Sequence, residues 1–285
     1  MKLGFVGAGV VGTALSVSLA AKGYPVVAVG SRTRASAERL AERLPGCRAL
    51  SLQEVADEAD LVFVTTPDDA IAGVVTDLRW HAGQAVVHCS GAASTDVLGP
   101  ARSAGALVGG FHPLQTFASP EQAIQNLPGT TFALEAEPPL LDRLAGLATA
   151  LGGTWVRLRP EDKVLYHAAA VFASNYLVTL VKLATDLWRE FGVETPEATR
   201  ALLPLLRGTL NNLDRVGLPR CLTGPIARGD VGTVRRHLAA LERSAPGILE
   251  TYRRLGRETI AIGTAKGTLD PARAEELGRL LGDGT

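Results

Sequence analysis

Lys163, His167, Val171 and Asn175 recur at intervals of four, so on a helix they form one slowly drifting line with Ser174 beside it. A cation, an imidazole, a hydroxyl and a carboxamide next to the apolar stretch 168–173 need partners, because buried polar groups without them are costly. Two explanations stand: a solvated lysine edge with a satisfied core histidine, or one wall of an active site. As an active site, these types suit hydride transfer to a carbonyl or imine, which requires a cationic or acidic donor near the acceptor atom. Lys163 or His167 would be that donor. Asn175 would orient the substrate or a nicotinamide carboxamide, and His112, at the end of the apolar run 106–111, would face the same crevice.

Hydride chemistry needs a carrier, and the N-terminal residues offer a cradle for one. An apolar run over 2–6 leads into Gly7-Ala8-Gly9-Val10-Val11-Gly12 and then a helix-like segment to Lys22. The first two glycines allow a tight turn and close approach of a pyrophosphate, the third lets helix pack on strand, and the helix N-terminus offers unpaired N–H groups. A second apolar run, 24–30, follows at the distance a βαβ unit requires, so these six residues are the expected phosphate contacts. After it come Ser31, Arg32, Thr33 and Arg34. No carboxylate stands there to repel a 2′-phosphate, whereas a hydroxyl and guanidinium groups are present, so Ser31 and Arg32 point to NADP(H) rather than NAD(H). The competing reading of Arg32 and Arg34 is that they are solvated charges at a helix start.

Stepping along the chain, strand and helix patterns alternate. A helix pattern runs to about Leu44, Ser51 to Glu54 has the capping-box form, and apolar strands read over 59–66, 84–88, 106–112, 130–134 and 154–158. This predicts an α/β fold with a doubly wound, mostly parallel sheet. Ligands bind outside the carboxyl ends of such strands, which adds Thr65, Thr66, Pro67 and Ser90 to the expected cofactor contacts and Gln115 to the substrate side.

At Arg159-Pro160-Glu161-Asp162 the character changes to a strong helix start, and no Gly or Pro follows until Gly192. One helix of about thirty residues, roughly 45 Å long, is expected. Further helices follow, broken at Gly192, Pro196, Gly217 to Pro219, Pro225 and Pro271. The expected domains are therefore 1–158, which binds the cofactor, and 159–285, an all-helical substrate and dimerisation domain.

Composition narrows the function classes. With 285 residues, 46% hydrophobic and 20% charged, the chain suffices for two domains. Its 29 basic and 29 acidic residues cancel, so neither nucleic acid nor an anionic membrane is suggested and a small-molecule partner is expected. Cys47, Cys89 and Cys221 are scattered, with no metal or redox pair among them. Residues 1–21 also have the outline of a secretory signal, but cleavage would remove the first strand, so a cytoplasmic location is expected.

The motifs ending at Gly12, together with Val87 to Gly91, Phe111 to Phe117, Tyr166 to Asn175 and Leu222 to Asp230, resemble the Rossmann-like plus DUF2520 proteins, over nearly the whole chain. That family resembles in turn the 6-phosphogluconate dehydrogenase-like superfamily, with a Rossmann domain and a helical domain opening on a long helix. The resemblance implies an NADP oxidoreductase, sometimes labelled F420-dependent-like, and a homodimer formed through the helical domain. It fits Lys163 to the superfamily's helix lysine and Asn175 to an asparagine further along. It departs from β-hydroxyacid dehydrogenases at His167, where they carry an asparagine. His112-Pro113 resembles the substrate-contacting His-Pro of prephenate dehydrogenases. Arg228 would bind a substrate carboxylate, or with Asp230 would only cap a helix.

The leading expectation is an NADP(H)-dependent oxidoreductase acting on a small, carboxylated carbonyl or imine compound, or its alcohol or amine counterpart. Two others stay open: a non-catalytic NADP(H) sensor, and hydride exchange between NADP and the deazaflavin F420.

Overall fold

The computed structural model describes residues 1–282, which divide by packing into two compact units, Met1–Ser174 and a second beginning at Asn175. In the first, eight strands form one sheet: β1 (Leu3–Val6), β2 (Val26–Gly30), β3 (Arg48–Ala49), β4 (Leu61–Val64), β5 (Ala85–His88), β6 (Leu107–Pro113), β7 (Thr131–Glu135) and β8 (Thr154–Arg157). Their order is β3-β2-β1-β4-β5-β6-β7-β8, parallel throughout except for the antiparallel β6–β7 pair. The expected α/β fold with a mostly parallel sheet is thus present.

The helices of this unit are α1 (Val10–Ala21), α2 (Arg34–Ala41), α3 (Leu52–Glu58), α4 (Asp68–Asp77), α5 (Gly99–Ser103), α6 (Pro120–Asn126), α7 (Leu140–Ala150) and α8 (Lys163–Ala173). They build two cores against the sheet. One gathers Phe5, Phe63, Phe111 and Phe132 with Leu15, Leu19 and Leu144; the other gathers Val62, Val64, Ile71, Val75 and Val86. Burial on both faces explains why β1, β4 and β5 read as continuous apolar runs rather than alternating ones. The capping box forms as the residue types dictate: Ser51 accepts from the Glu54 amide and the Glu54 carboxylate accepts from the Ser51 amide.

The second unit is helical: α9 (Asn175–Arg189), α10 (Thr195–Val216), α11 (Val231–Ser244), α12 (Pro246–Lys266) and α13 (Pro271–Leu281). Its core comes from the turn at Ile226 with α11, α12 and α13, through Val234, Leu238, Leu277 and Leu281. Asp230 and Asp270 cap α11 and α13 by accepting from the Thr233 and Arg273 amides.

The single long helix expected after Pro160 is divided. A short 3₁₀ turn, Pro160–Asp162, precedes α8, and regular geometry lapses at Ser174, where φ is −113° and ψ −66°. The division between units falls at this break, later than the change in sequence character at 158/159, because α8 packs with the sheet unit. By length and mean hydropathy of 1.5, the helical run Pro160–Arg189 is also long and apolar enough to cross a membrane, and none of its most apolar window is buried.

Candidate active site

The loop from β1 to α1 has the form a phosphate cradle needs. Gly7 adopts φ +118°, a value that L side chains rarely adopt, and a Cβ there would meet the Thr65 backbone at 2.7 Å. At Gly12 a Cβ would meet the Gly7 carbonyl at 2.3 Å, so only hydrogen lets the helix close on the loop. Gly9 differs: nothing lies within 4 Å of its Cβ direction, which leaves space in front of α1. That helix has no side-chain cap and no acidic residue in its first turn, so the amides of Val10, Val11 and Gly12 remain available to an anion. Ala8 completes the turn between them.

Ser31 is half-buried just past β2, and Arg32 is exposed with no ion pair or hydrogen bond among the described residues. The two arginines separate in role: Arg34 begins α2 and pairs with Glu38 at 2.8 Å, one turn on, as a surface charge does. Arg32 makes no such pair among the described residues. Thr66 Oγ1 is buried without a partner, an orphan that a ligand would satisfy. Pro67 sits at the N-terminal end of α4.

Thr65 and Ser90 are committed elsewhere. The Thr65 hydroxyl donates to the Gly7 carbonyl at 2.8 Å and holds the glycine turn. Ser90 Oγ donates to Asp68 Oδ2 at 2.6 Å and accepts from the amides of Ala92 and Ala93, which shapes the loop after β5. Both therefore support the cradle through the backbone they fix. Gln115 is exposed and uses its amide within its own loop, accepting from Thr116 and donating to Asn126.

Beyond the carboxyl ends of β5 and β6 lies the second constellation. Lys163, expected as a donor to substrate, is 2% exposed. Its Nζ donates to the Ser90 carbonyl at 3.2 Å and faces Glu135 Oε2 at 3.2 Å, an ion pair whose angles fall short of a hydrogen bond. Glu135, at the end of β7, accepts from both the amide and the hydroxyl of Thr95. Burial pulls the Lys163 pKa below its usual value, and Glu135 opposes that shift. The lysine thus braces β5, β7 and α8 together, and Gly110 makes room for it, since a Cβ there would stand 3.1 Å from Nζ.

The side chains of this group that stay partly accessible are His112, Tyr166 and His167, all half-buried. His112 Nδ1 and the Tyr166 hydroxyl are 2.8 Å apart, and the His112 and His167 rings lie 6.5 Å apart. Both imidazoles crowd Gly91, where a Cβ would meet His112 Nε2 at 2.7 Å and His167 Cδ2 at 2.9 Å. Burial, with Lys163 nearby, pushes the His112 pKa down to about 4, while burial raises the Tyr166 phenol to about 12. Beneath them His88 is fully buried and accepts from the Ser90 amide, its pKa held down to about 3 chiefly by burial. Its Nε2 makes no well-formed hydrogen bond, the Ser94 carbonyl acting on it only weakly.

Tyr166, Glu135, Thr95 and Asp68 are the residues that sequence reasoning missed here. Two signals were available: a carboxylate ending an otherwise apolar strand, which needs a cation, and paired glycines inside β6, which mark a close approach. Of the remaining expected residues, Ser174 is exposed at the break after α8, and Asn175 opens the second unit.

Within the second unit, Arg228 is exposed at the rim of a cleft of about 450 Å³ shared with Thr223, Lys266 and Thr268. Two cations and no carboxylate line it. Asp230 caps α11, so the capping role belongs to the aspartate and not to Arg228. Among the described residues no group of three or more His, Cys, Asp or Glu side chains is arranged to hold a metal.

A Rossmann-like domain model matches residues 1–113, and the model of DUF2520, a domain of unknown function, matches 130–259. The chain carries a Rossmann-like domain followed by a DUF2520 domain. No protein of curated function matches it in sequence. Among solved structures it is similar to a Thermotoga maritima protein, at 26% identity and TM-score 0.75, covering 93% of this chain and 99% of that one. A Bacteroides fragilis protein described as a “putative NADP oxidoreductase” is 26% identical with TM-score 0.70, over 90% of this chain and 97% of that one. A reductive aminase from Aspergillus terreus, in complex with NADPH and ethyl levulinate, shares the fold at 19% identity and TM-score 0.64, over 98% and 92%.

Proposed function

We propose that this Rossmann-like plus DUF2520 chain is an NADP(H)-dependent oxidoreductase acting on a small carbonyl or imine compound, or on its alcohol or amine counterpart. The observation that carries the reading is the cradle itself: open space before an uncapped helix at Gly9, with an unpaired Arg32 beyond β2. Both features match the charge of a dinucleotide carrying a 2′-phosphate. The description of the Bacteroides fragilis relative supports the same class at 26% identity.

In this reading the amides of Val10 to Gly12 bind the pyrophosphate, Arg32 and Ser31 hold the 2′-phosphate, and Thr66 donates to the bound cofactor. NADPH supplies a hydride when bound. His112 and His167 face the acceptor compound, Tyr166 and Lys163 hold that wall in place, and the half-buried site limits access of water. The Arg228 cleft of the second unit is proposed as a carboxylate-binding site of its own, because Arg228 and Lys266 line it and no carboxylate does. The reading places the protein in the cytoplasm.

A homodimer belongs to the same proposal. In the second unit Val178, Phe191, Leu205 and Leu218 are each at least 65% exposed, a surface that a second copy would cover and that no monomer gains from displaying.

Titration of the purified chain with NADPH and NADH, followed by calorimetry, is the test. NADPH is expected to bind at least about tenfold more tightly, and Arg32→Ala to abolish the preference. Equal binding, or preference for NADH, would overturn the assignment. One observation favours the sensor reading: Lys163 is sealed from any ligand by Glu135 and Ser90. NADPH oxidation with any carbonyl or imine metabolite decides against it.

A further inference from the structure

His112 and Tyr166 form a pair whose proton positions follow from their surroundings. Nδ1 and the phenol oxygen are 2.8 Å apart, with ring planes 89° apart. A phenol carries one proton, and no acceptor for it other than Nδ1 stands among the described residues, which favours donation from Tyr166 to Nδ1. A neutral imidazole accepting at Nδ1 carries its own proton on Nε2. Burial keeps both groups neutral near pH 7, His112 titrating at about 4 and Tyr166 at about 12. The charged and titratable groups around the ring come from several elements: Lys163, Tyr166 and His167 from α8, Asp68 from α4 and His88 from β5. Lys163 is held by Glu135 and the Ser90 carbonyl, and Asp68 by Ser90, so neither takes the Nε2 proton.

Nε2 is also the atom left without a protein partner. It makes no hydrogen bond among the described residues and is not sealed from solvent. It stands over Gly91, where a Cβ would approach to 2.7 Å, so the bare Cα keeps the space in front of the ring.

We propose that Tyr166 is a positioning residue that locks His112 in its Nε2–H tautomer, so that His112 presents a neutral N–H donor across Gly91 to an oxygen of the substrate. The ligand clause rests on the oxidoreductase reading and sharpens it. A neutral N–H donor polarises a carbonyl oxygen and holds the hydroxyl of the corresponding alcohol. An iminium nitrogen has no lone pair to accept it. The donor therefore suits a neutral acceptor, a carbonyl oxygen above all, and not an iminium cation.

Nitrogen-15 spectra of labelled histidine in the full chain, without added NADP(H), test the lock, with His112→Asn identifying the signals. The wild-type ring is expected as the Nε2–H tautomer, uncharged down to about pH 5. Tyr166→Phe is expected to give a tautomer mixture with a raised pKa while the other histidine signals stay in place, which separates loss of the lock from loss of fold. An Nδ1–H tautomer in the wild type, or unchanged His112 signals in Tyr166→Phe, overturns the proposal. With NADPH present, turnover of carbonyl compounds that falls in kcat more than it rises in KM in Tyr166→Phe is the expected second result, and turnover confined to N-alkyl iminium cations overturns the substrate class. Failure of NADPH to bind would sink the cofactor reading separately, because the tautomer is measured without it.

Discussion

In the sheet unit, β1, β4 and β5 bury every one of their residues; in the helical unit, α10 buries only Ala198 of its 22 residues and α9 only Thr185 of 15. Both regions are built from leucine, valine and alanine in quantity, so composition does not separate them. The sheet offers two faces, and along β1, β4 and β5 the chain covers both with its own helices, while β8 at the edge stays exposed. The helical unit gathers its core at α11 to α13 and leaves apolar side chains of α9 and α10 displayed. The central strands are finished by their own sequence, whereas α8, α9 and α10 leave apolar side chains displayed, among them Leu165, Phe172, Val178 and Leu205.

Phe63→Ala should give the largest effect. The ring stacks on Phe5 at 5.0 Å and meets Phe111 edge-on, so its removal is expected to cost about 4 kcal/mol in urea unfolding, independent of protein concentration. A cost below about 1 kcal/mol would mean that the core does not hold the ring as described.

Lys163→Met tests the buried ion pair. It leaves the Glu135 carboxylate uncompensated, with an expected loss of about 3 kcal/mol. Replacing both partners, Lys163→Met with Glu135→Leu, should recover part of it. A double variant as unstable as the single one would show that the lysine stem and not its charge supports the wall.

Acid should act through the first unit by a smaller amount. His88 has a folded-state pKa of about 3, below the ordinary 6.5 of an unfolded histidine, so below pH 6.5 the unfolded chain binds the proton first. The contribution is nil above that pH and grows more unfavourable as pH falls, reaching about 2 kcal/mol at pH 5. Thermal melts between pH 7 and pH 5 check it, and a flat profile would contradict the burial of this ring.

Leu205→Glu is the mildest in intrinsic stability, about 0.5 kcal/mol or less, because the side chain is 68% exposed. Its effect is expected in assembly: sedimentation should show a dimer for the wild type and a shift towards monomer for the variant, with a melting temperature that no longer rises with concentration. A wild-type monomer at all concentrations would remove the dimer from the proposal.

These contrasts mark how much could be read before folding. The glycine turn between β1 and α1 was legible because glycine at positions 7 and 12 is demanded by contacts only a few residues away or one strand over. The α/β fold was legible for a similar reason, as strands buried on both faces have to be apolar throughout. The line of Lys163 and His167 was legible only as a spacing. What each residue does there depends on Glu135 and His112, which lie on other strands, and no local pattern ties either to α8.

The sequence by itself determined the cradle, the order of strands and helices, and the chemical types available near residue 163. Tertiary structure decided which of those types stays accessible. It turned the lysine inward to a carboxylate, because a buried charge needs a partner, and it brought a tyrosine to His112, because a half-buried phenol needs an acceptor. Helical spacing specifies the face of a helix, but the partner on that face is chosen by residues distant in the chain.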